Sequence, residues 1–177
     1  MVNINSISFL AEGKATYTDG GAVAEYTWLI VVLPFLAALL ITFFGKFLPL
    51  KGAEIALATI GFIFTFSSYL LYLNITEGVA SEFFINVGSI GSFDLEFGWV
   101  VDGLSIMMYF VVGTVASLVF IYATNYMQGE VRYTFFFTSL TLFAGSMLVL
   151  VSSPTLFQLL IGWELVGVCS YLLLGIY

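Results

Sequence analysis

"LLIGWELVGVCSYLLLGIY", running from Leu159 to Tyr177, is compatible with hydrocarbon at every position but one. Glu164 stands alone in it, with no basic residue nearby. An α-helix rises about 1.5 Å per residue, so about twenty apolar residues cross a hydrocarbon core of roughly 30 Å. The stretch therefore reads as a membrane span that carries a carboxyl group. Counting from Pro154, Glu164 is ten residues along, roughly 15 Å deep and near the midplane.

The same measure finds candidate spans at 27–45, 54–73, 103–124, 133–152 and 155–176. Composition agrees: 61% of the 177 residues are hydrophobic and 8% charged, with a mean hydropathy of +1.10. Soluble domains carry roughly a quarter charged residues. The expected fold class is all-α transmembrane, with about five membrane-spanning helices. Pro34 should bend the first of them.

The segments between the spans organise the chain. Residues 1–26 form a mixed, mostly acidic segment, too long and too acidic for a signal-peptide leader. Residues 27–73 hold two spans, 74–102 a long acidic connection, and 103–177 three more spans. Within that connection, Phe93, Leu95, Phe97 and Trp99 alternate with Asp94, Glu96 and Gly98, the period of a half-buried strand. "EFFINV" (82–87) supplies a partner strand and "GSIGS" (88–92) a turn. An external β-hairpin between the second and third spans is expected, serving as a lid over the helix ends or as a strap to a neighbouring subunit.

Lys46, Lys51 and Arg132 fall in the two short loops. Basic residues in short loops mark the cytoplasmic side, so the amino terminus is expected outside and Tyr177 inside. Lys14, in the acidic leader, is the one dissenter. Trp28, Trp99, Tyr109, Tyr122, Tyr126 and Tyr133 mostly lie near span ends, where amphipathic rings favour the interface. Phe135, Phe136 and Phe137 read as packing residues.

The chain has few chemical tools. It has no histidine and one cysteine, Cys169, which leaves neither a disulfide nor a multi-cysteine metal or iron–sulfur site. A net charge of -7 argues against nucleic acid. Glu164 is therefore the principal candidate. An acid at that depth is expected to face the bundle interior or a hydrated cavity, and intramembrane acids are functional by default. Gly167 and Tyr171 follow on the same face, offering a small neighbour and a hydroxyl. The plain alternative is a protonated acid that holds helices together. Burial raises a carboxylic acid's pKa and an approaching cation lowers it, which is how such a site could exchange protons. No basic residue falls inside a span, so that cation must come from elsewhere. Asp102 reads as a helix cap, with a supporting role in proton exit as the other possibility. Cys169 reads as a small packing residue.

"GWELVGVCSYLLLGIY" (162–177) resembles the fifth transmembrane helix of the large antiporter-like subunit, subunit L, of NADH:quinone oxidoreductase of the respiratory complex I type. "FGWVVDGLSIMM" (97–108), "YATNYMQGEVRYTFFF" (122–137) and "SSPTLFQLLIGWE" (152–164) resemble the same family in order, and the first 87 residues agree in pattern alone. The resemblance implies a proton-translocating membrane subunit distant from the redox centres. It implies no cofactor in this chain; NAD, FMN, iron–sulfur clusters and quinone belong to partner subunits. It also implies contacts with other membrane-arm subunits, above all a neighbouring antiporter-like one, and a bacterial inner membrane location. Glu164 corresponds by motif to the family's helix-five glutamate, which pairs with a lysine on a later helix. That lysine has no counterpart here, so the chain is expected to be the amino-terminal part of a longer protein or a split gene product. Two alternatives stay open: the large subunit of a multi-subunit sodium/proton antiporter, and a structural membrane anchor.

Overall fold

A computed structural model describes residues 18–19, 26–90 and 93–175. The amino-terminal segment, with Lys14, lies almost wholly outside the described residues, as do residues 91–92 of the expected turn and Tyr177. Among the described residues five α-helices form: α1 (Trp28–Phe44), α2 (Ala53–Glu77), α3 (Gly103–Tyr126), α4 (Tyr133–Ser152) and α5 (Leu156–Leu174). All five are long and apolar enough to cross a membrane. With the relatives described below, they mark an integral membrane protein.

The expected spans agree with these helices to within a few residues. α1 runs through Pro34, whose ring is buried against α4: a Cβ added at Gly145 would come within 3.0 Å of it. Small residues set the other close approaches as well. A Cβ at Gly113 of α3 would meet Ser67 of α2 at 3.1 Å. Without a hydrophobic driving force between helices in lipid, such small-residue contacts let backbones pack closely. Helices α3, α2, α1 and α4 follow one another in contact, and α5 packs principally on α4. The α3–α4 seam is looser and leaves an apolar groove of about 250 Å³ lined by Met108, Val112, Phe120 and Phe143 among others.

Hydroxyls inside the spans bond to their own helices: Thr114 to the Phe110 carbonyl, Ser117 to Gly113, Thr141 to Phe137 and Ser146 to Leu142, each at 2.7 or 2.8 Å. Four-residue back-bonding of this kind satisfies a polar group where no water is available.

A hairpin joins α2 to α3. Strand β2 (Val79–Ile90) pairs antiparallel with β3 (Phe93–Val101), with an irregularity between Asn86 and Gly88. The strands extend further than expected: Gly88, Ser89 and Ile90 pair with Leu95, Asp94 and Phe93 instead of turning. The irregularity leaves Val87 without a ladder partner, while Gly88, which sequence alone assigns to the turn, is paired. A further strand, β1 (Thr18–Asp19), adds parallel to the start of β2.

Two aromatic assignments change. Tyr109 is fully buried and donates from its hydroxyl to the Val100 carbonyl at 3.1 Å, so it ties α3 to the hairpin instead of marking an interface. Tyr133 is buried too, with its ring 4.9 Å from that of Phe137. Phe137 packs inside against Phe120, whereas Phe135 is exposed.

Candidate functional site

α5 starts where Pro154 and Thr155 end the connection from α4. The Thr155 side chain accepts a bond from the Gln158 amide at 3.3 Å, capping the first turn. Beyond that cap the polar groups of the helix, Gln158, Glu164, Ser170 and the Tyr171 hydroxyl, mark no single face, so its orientation depends on packing. Gly162 decides it. A Cβ there would lie 2.9 Å from the backbone of Leu150, so α4 crosses α5 in backbone contact at that point. Gln158, Gly162 and Cys169 form the buried stripe. The Cys169 sulfur sits 3.7 Å from the Ser146 hydroxyl, which is the packing role expected of it.

Glu164 lies two residues past Gly162, roughly 200° round the helix, and its side chain is exposed. The expectation is the bundle interior or a hydrated cavity; the other described helices of this chain leave the side chain uncovered. Within this chain the small residues draw α4 to the opposite side, and Glu164 faces away from the other four helices. Gly167 lies on the same open face, with nothing within 4 Å of the position its Cβ would take. Tyr171 is 77% exposed. It shares that face with Glu164, but among the described residues no hydrogen bond joins the two. Trp163, Val168 and Leu160 complete an uncovered, largely aromatic and aliphatic surface around one carboxyl group.

Asp102 lies elsewhere. Its backbone is extended, and its carboxylate accepts from the Ser105 amide at 2.7 Å as the N-cap of α3. That is the cap geometry expected of it, at the hairpin end of the bundle. Glu164 is eight residues into α5 from that end, about 12 Å along the axis. The structure does not bring Asp102 and Glu164 together.

One residue escaped notice in the sequence. The Gln158 amide is buried and forms two bonds to one peptide unit of β3: Gly98 N donates to its Oε1 at 2.9 Å, and its Nε2 donates to Gly98 O at 2.8 Å. The pair closes the free edge of β3, and Phe97 reinforces it with an edge-to-face contact to Phe157 at 5.9 Å. The available signal was the lone amide in "TLFQLLIGWE", since a polar group in an apolar helix needs a partner. The helix that carries Glu164 is thus fastened to the hairpin at one end and to α4 along one side.

Among the described residues no group of three or more Asp, Glu, His or Cys side chains could hold a metal ion. The α3–α4 groove is lined by apolar side chains alone.

Comparison with known proteins places this arrangement in context. Residues 88–137 match the family model described as NADH-ubiquinone oxidoreductase (complex I), chain 5 N-terminus. The chain is 39% identical over 160 residues to NAD(P)H-quinone oxidoreductase subunit 5, organellar chromatophore 1, of Paulinella chromatophora, covering 86% of this chain and 24% of that one. It is 41% identical over 160 residues, with the same coverage, to NAD(P)H-quinone oxidoreductase chain 5 of a Picosynechococcus and to that of a Synechocystis. A subunit of the membrane-bound sulfane sulfur reductase, an archaeal respiratory membrane complex, shares the fold at a TM-score of 0.64 and 12% identity, covering 81% of this chain and 29% of that one. The chain spans about a quarter of the length of the curated relatives it matches, and over most of its own length it is similar to subunit 5 of the NAD(P)H-quinone oxidoreductases.

Proposed function

We propose that this chain contributes part of the antiporter-like subunit of a redox-driven proton pump of the NADH:quinone oxidoreductase type, with Glu164 as its proton-carrying group. The observation that supports this most is the position of Glu164. It is a single carboxyl group in the middle of a membrane span, on a face this chain leaves open. A charged group in hydrocarbon is costly, and proteins keep such groups against one another, against a water-filled cavity or on an ion pathway. The open face fits a following helix or a neighbouring subunit that seats against it and closes a polar interior.

The chemistry is simple. A cation brought toward Glu164 stabilises the carboxylate and favours proton release; withdrawing it favours capture. The cation belongs to whatever covers the α5 face, as the lysine of the resembling family does. Electron transfer takes place in partner subunits that hold NAD, FMN, iron–sulfur clusters and quinone, and reaches this site as a conformational or electrostatic change. On this reading Asp102 and Tyr171 play no direct part in proton transfer: the first caps α3, and the second borders the surface that the neighbour covers. The amino terminus and the hairpin lie outside, and the loops with Lys46, Lys51 and Arg132 inside, in agreement with the side preferred by basic residues. The names of the relatives favour a redox partner over a sodium/proton antiporter.

Glu164→Gln in the assembled complex tests the proposal. The amide keeps size and hydrogen bonding but cannot ionise. Assembly and subunit content are expected to be unchanged, while proton translocation falls by at least tenfold. Undiminished translocation would leave a structural anchor as the better account.

A further inference from the structure

Three of the four basic residues of this chain meet at one place. Lys46, Lys51 and Arg132 line a cavity of about 360 Å³, together with Val131, Thr134 and Phe135. It lies at the end of the bundle opposite the hairpin, between the α1–α2 loop and the start of α4. Among the described residues no acidic side chain lines it: Glu54 and Glu130, the acids nearest in sequence, are not part of its wall. In a chain of net charge -7, this is a concentrated patch of positive charge.

The cavity is held in shape by its own walls. The Thr134 hydroxyl donates to the Lys51 carbonyl at 3.1 Å, joining α4 to the loop. A Cβ at Gly45 would come within 2.8 Å of the Thr134 side chain, so the two elements are already in contact. Arg132 donates one N–H to the Gly175 carbonyl at the end of α5, at 3.1 Å. Lys51 holds a φ of +49°, a left-handed conformation that glycine or asparagine enters at lower cost.

We propose that this cavity binds the phosphate of an anionic phospholipid. Its location selects a lipid over a free anion. Phe43, Phe44 and Phe47 flank Lys46, all more than half exposed, and Val131 is 99% exposed beside Arg132. Cations at headgroup level, with apolar side chains beside them for the acyl chains, match a lipid at the membrane interface. A free phosphate has no use for the apolar surround. The inference rests on the chain spanning a membrane and is independent of the role of Glu164.

The full chain, purified in a neutral detergent, is given equal amounts of dioleoylphosphatidylglycerol and dioleoylphosphatidylcholine, and the lipid retained is counted by native mass spectrometry. Each basic side chain near an anionic surface is worth about fivefold in binding, so phosphatidylglycerol is expected to be preferred by at least tenfold. The double variant Lys46→Gln with Lys51→Asn should lose most of that preference while keeping its helical circular dichroism, because asparagine tolerates the left-handed backbone. Lys14→Gln, outside the described residues, should keep it, and excess inorganic phosphate should not displace the lipid. Equal retention of the two lipids, a double variant with full preference, or an equal loss in Lys14→Gln would overturn the proposal. Displacement by inorganic phosphate would overturn it in favour of a free-anion site.

Discussion

α4 and α5 are consecutive, nearly equal in length, and close in mean hydropathy at 1.9 and 1.7, yet they occupy opposite situations. α4 is the most buried span and α5 the least. The difference lies in where the small and hydroxyl residues fall. α4 carries Ser139, Thr141, Ala144, Gly145, Ser146 and Ser152 in its buried set, so neighbours approach it from several sides. α5 has Gly162 and Cys169 on one stripe and Glu164, Trp163 and Tyr171 on the rest. Hydropathy reports that a helix belongs in the membrane; the placement of small residues reports which side of it is already occupied.

The sharpest way to break this contrast is at the contact itself. Gly162→Leu forces a side chain into the backbone of Leu150, and overpacking on this scale costs about 3 kcal/mol or more. We expect α5 to lose its seat on α4, measured as a collapse in folded yield and thermal stability. A leucine at Gly167, on the open face, should leave the stability of the isolated chain unchanged; if both variants behave alike, the two faces are not different in kind. Gln158→Leu comes next. It removes two buried bonds and leaves the Gly98 peptide unpaired, a loss of about 2–3 kcal/mol, which should appear as faster hydrogen exchange at the Gly98 amide. Gln158→Glu, which keeps the acceptor and loses the donor, should fall between.

Asp102→Asn has the smallest expected effect. Asparagine caps almost as well as aspartate, so only the charge at the positive end of α3 is lost, about 0.5 kcal/mol. Thermal stability should drop slightly, with proton translocation intact. A translocation defect in a well-assembled Asp102→Asn variant would move Asp102 from cap to pathway.

Much of this was legible beforehand, for identifiable reasons. The five spans follow from length and apolarity, and their ends from Asp102, Pro154 and the short polar loops. The common location of Lys46, Lys51 and Arg132 follows from strict alternation of the spans. The direction in which Glu164 faces was not legible, because Gln158, Glu164 and Ser170 are spread round α5 and its periodicity points to no side. Only the fit of Gly162 against Leu150 decides it. The strand course through Gly88–Ile90 escaped because glycine and serine signal a turn, whereas the pairing with Phe93–Leu95 continues through them. Gln158 escaped because its partner is a peptide unit, and a peptide unit leaves no mark on side-chain pattern. The cap at Asp102 was readable because its geometry is local.

The most direct measurement is the number of protons moved per electron in sealed vesicles carrying the assembled complex, with Glu164→Gln and Glu164→Asp compared against the parent. Glutamine should abolish most translocation with electron input still measurable, and aspartate, which keeps an ionisable group on the open face of α5, should retain a substantial part of it. Equal translocation by the glutamine and parent complexes would contradict the assignment of Glu164 as the proton carrier.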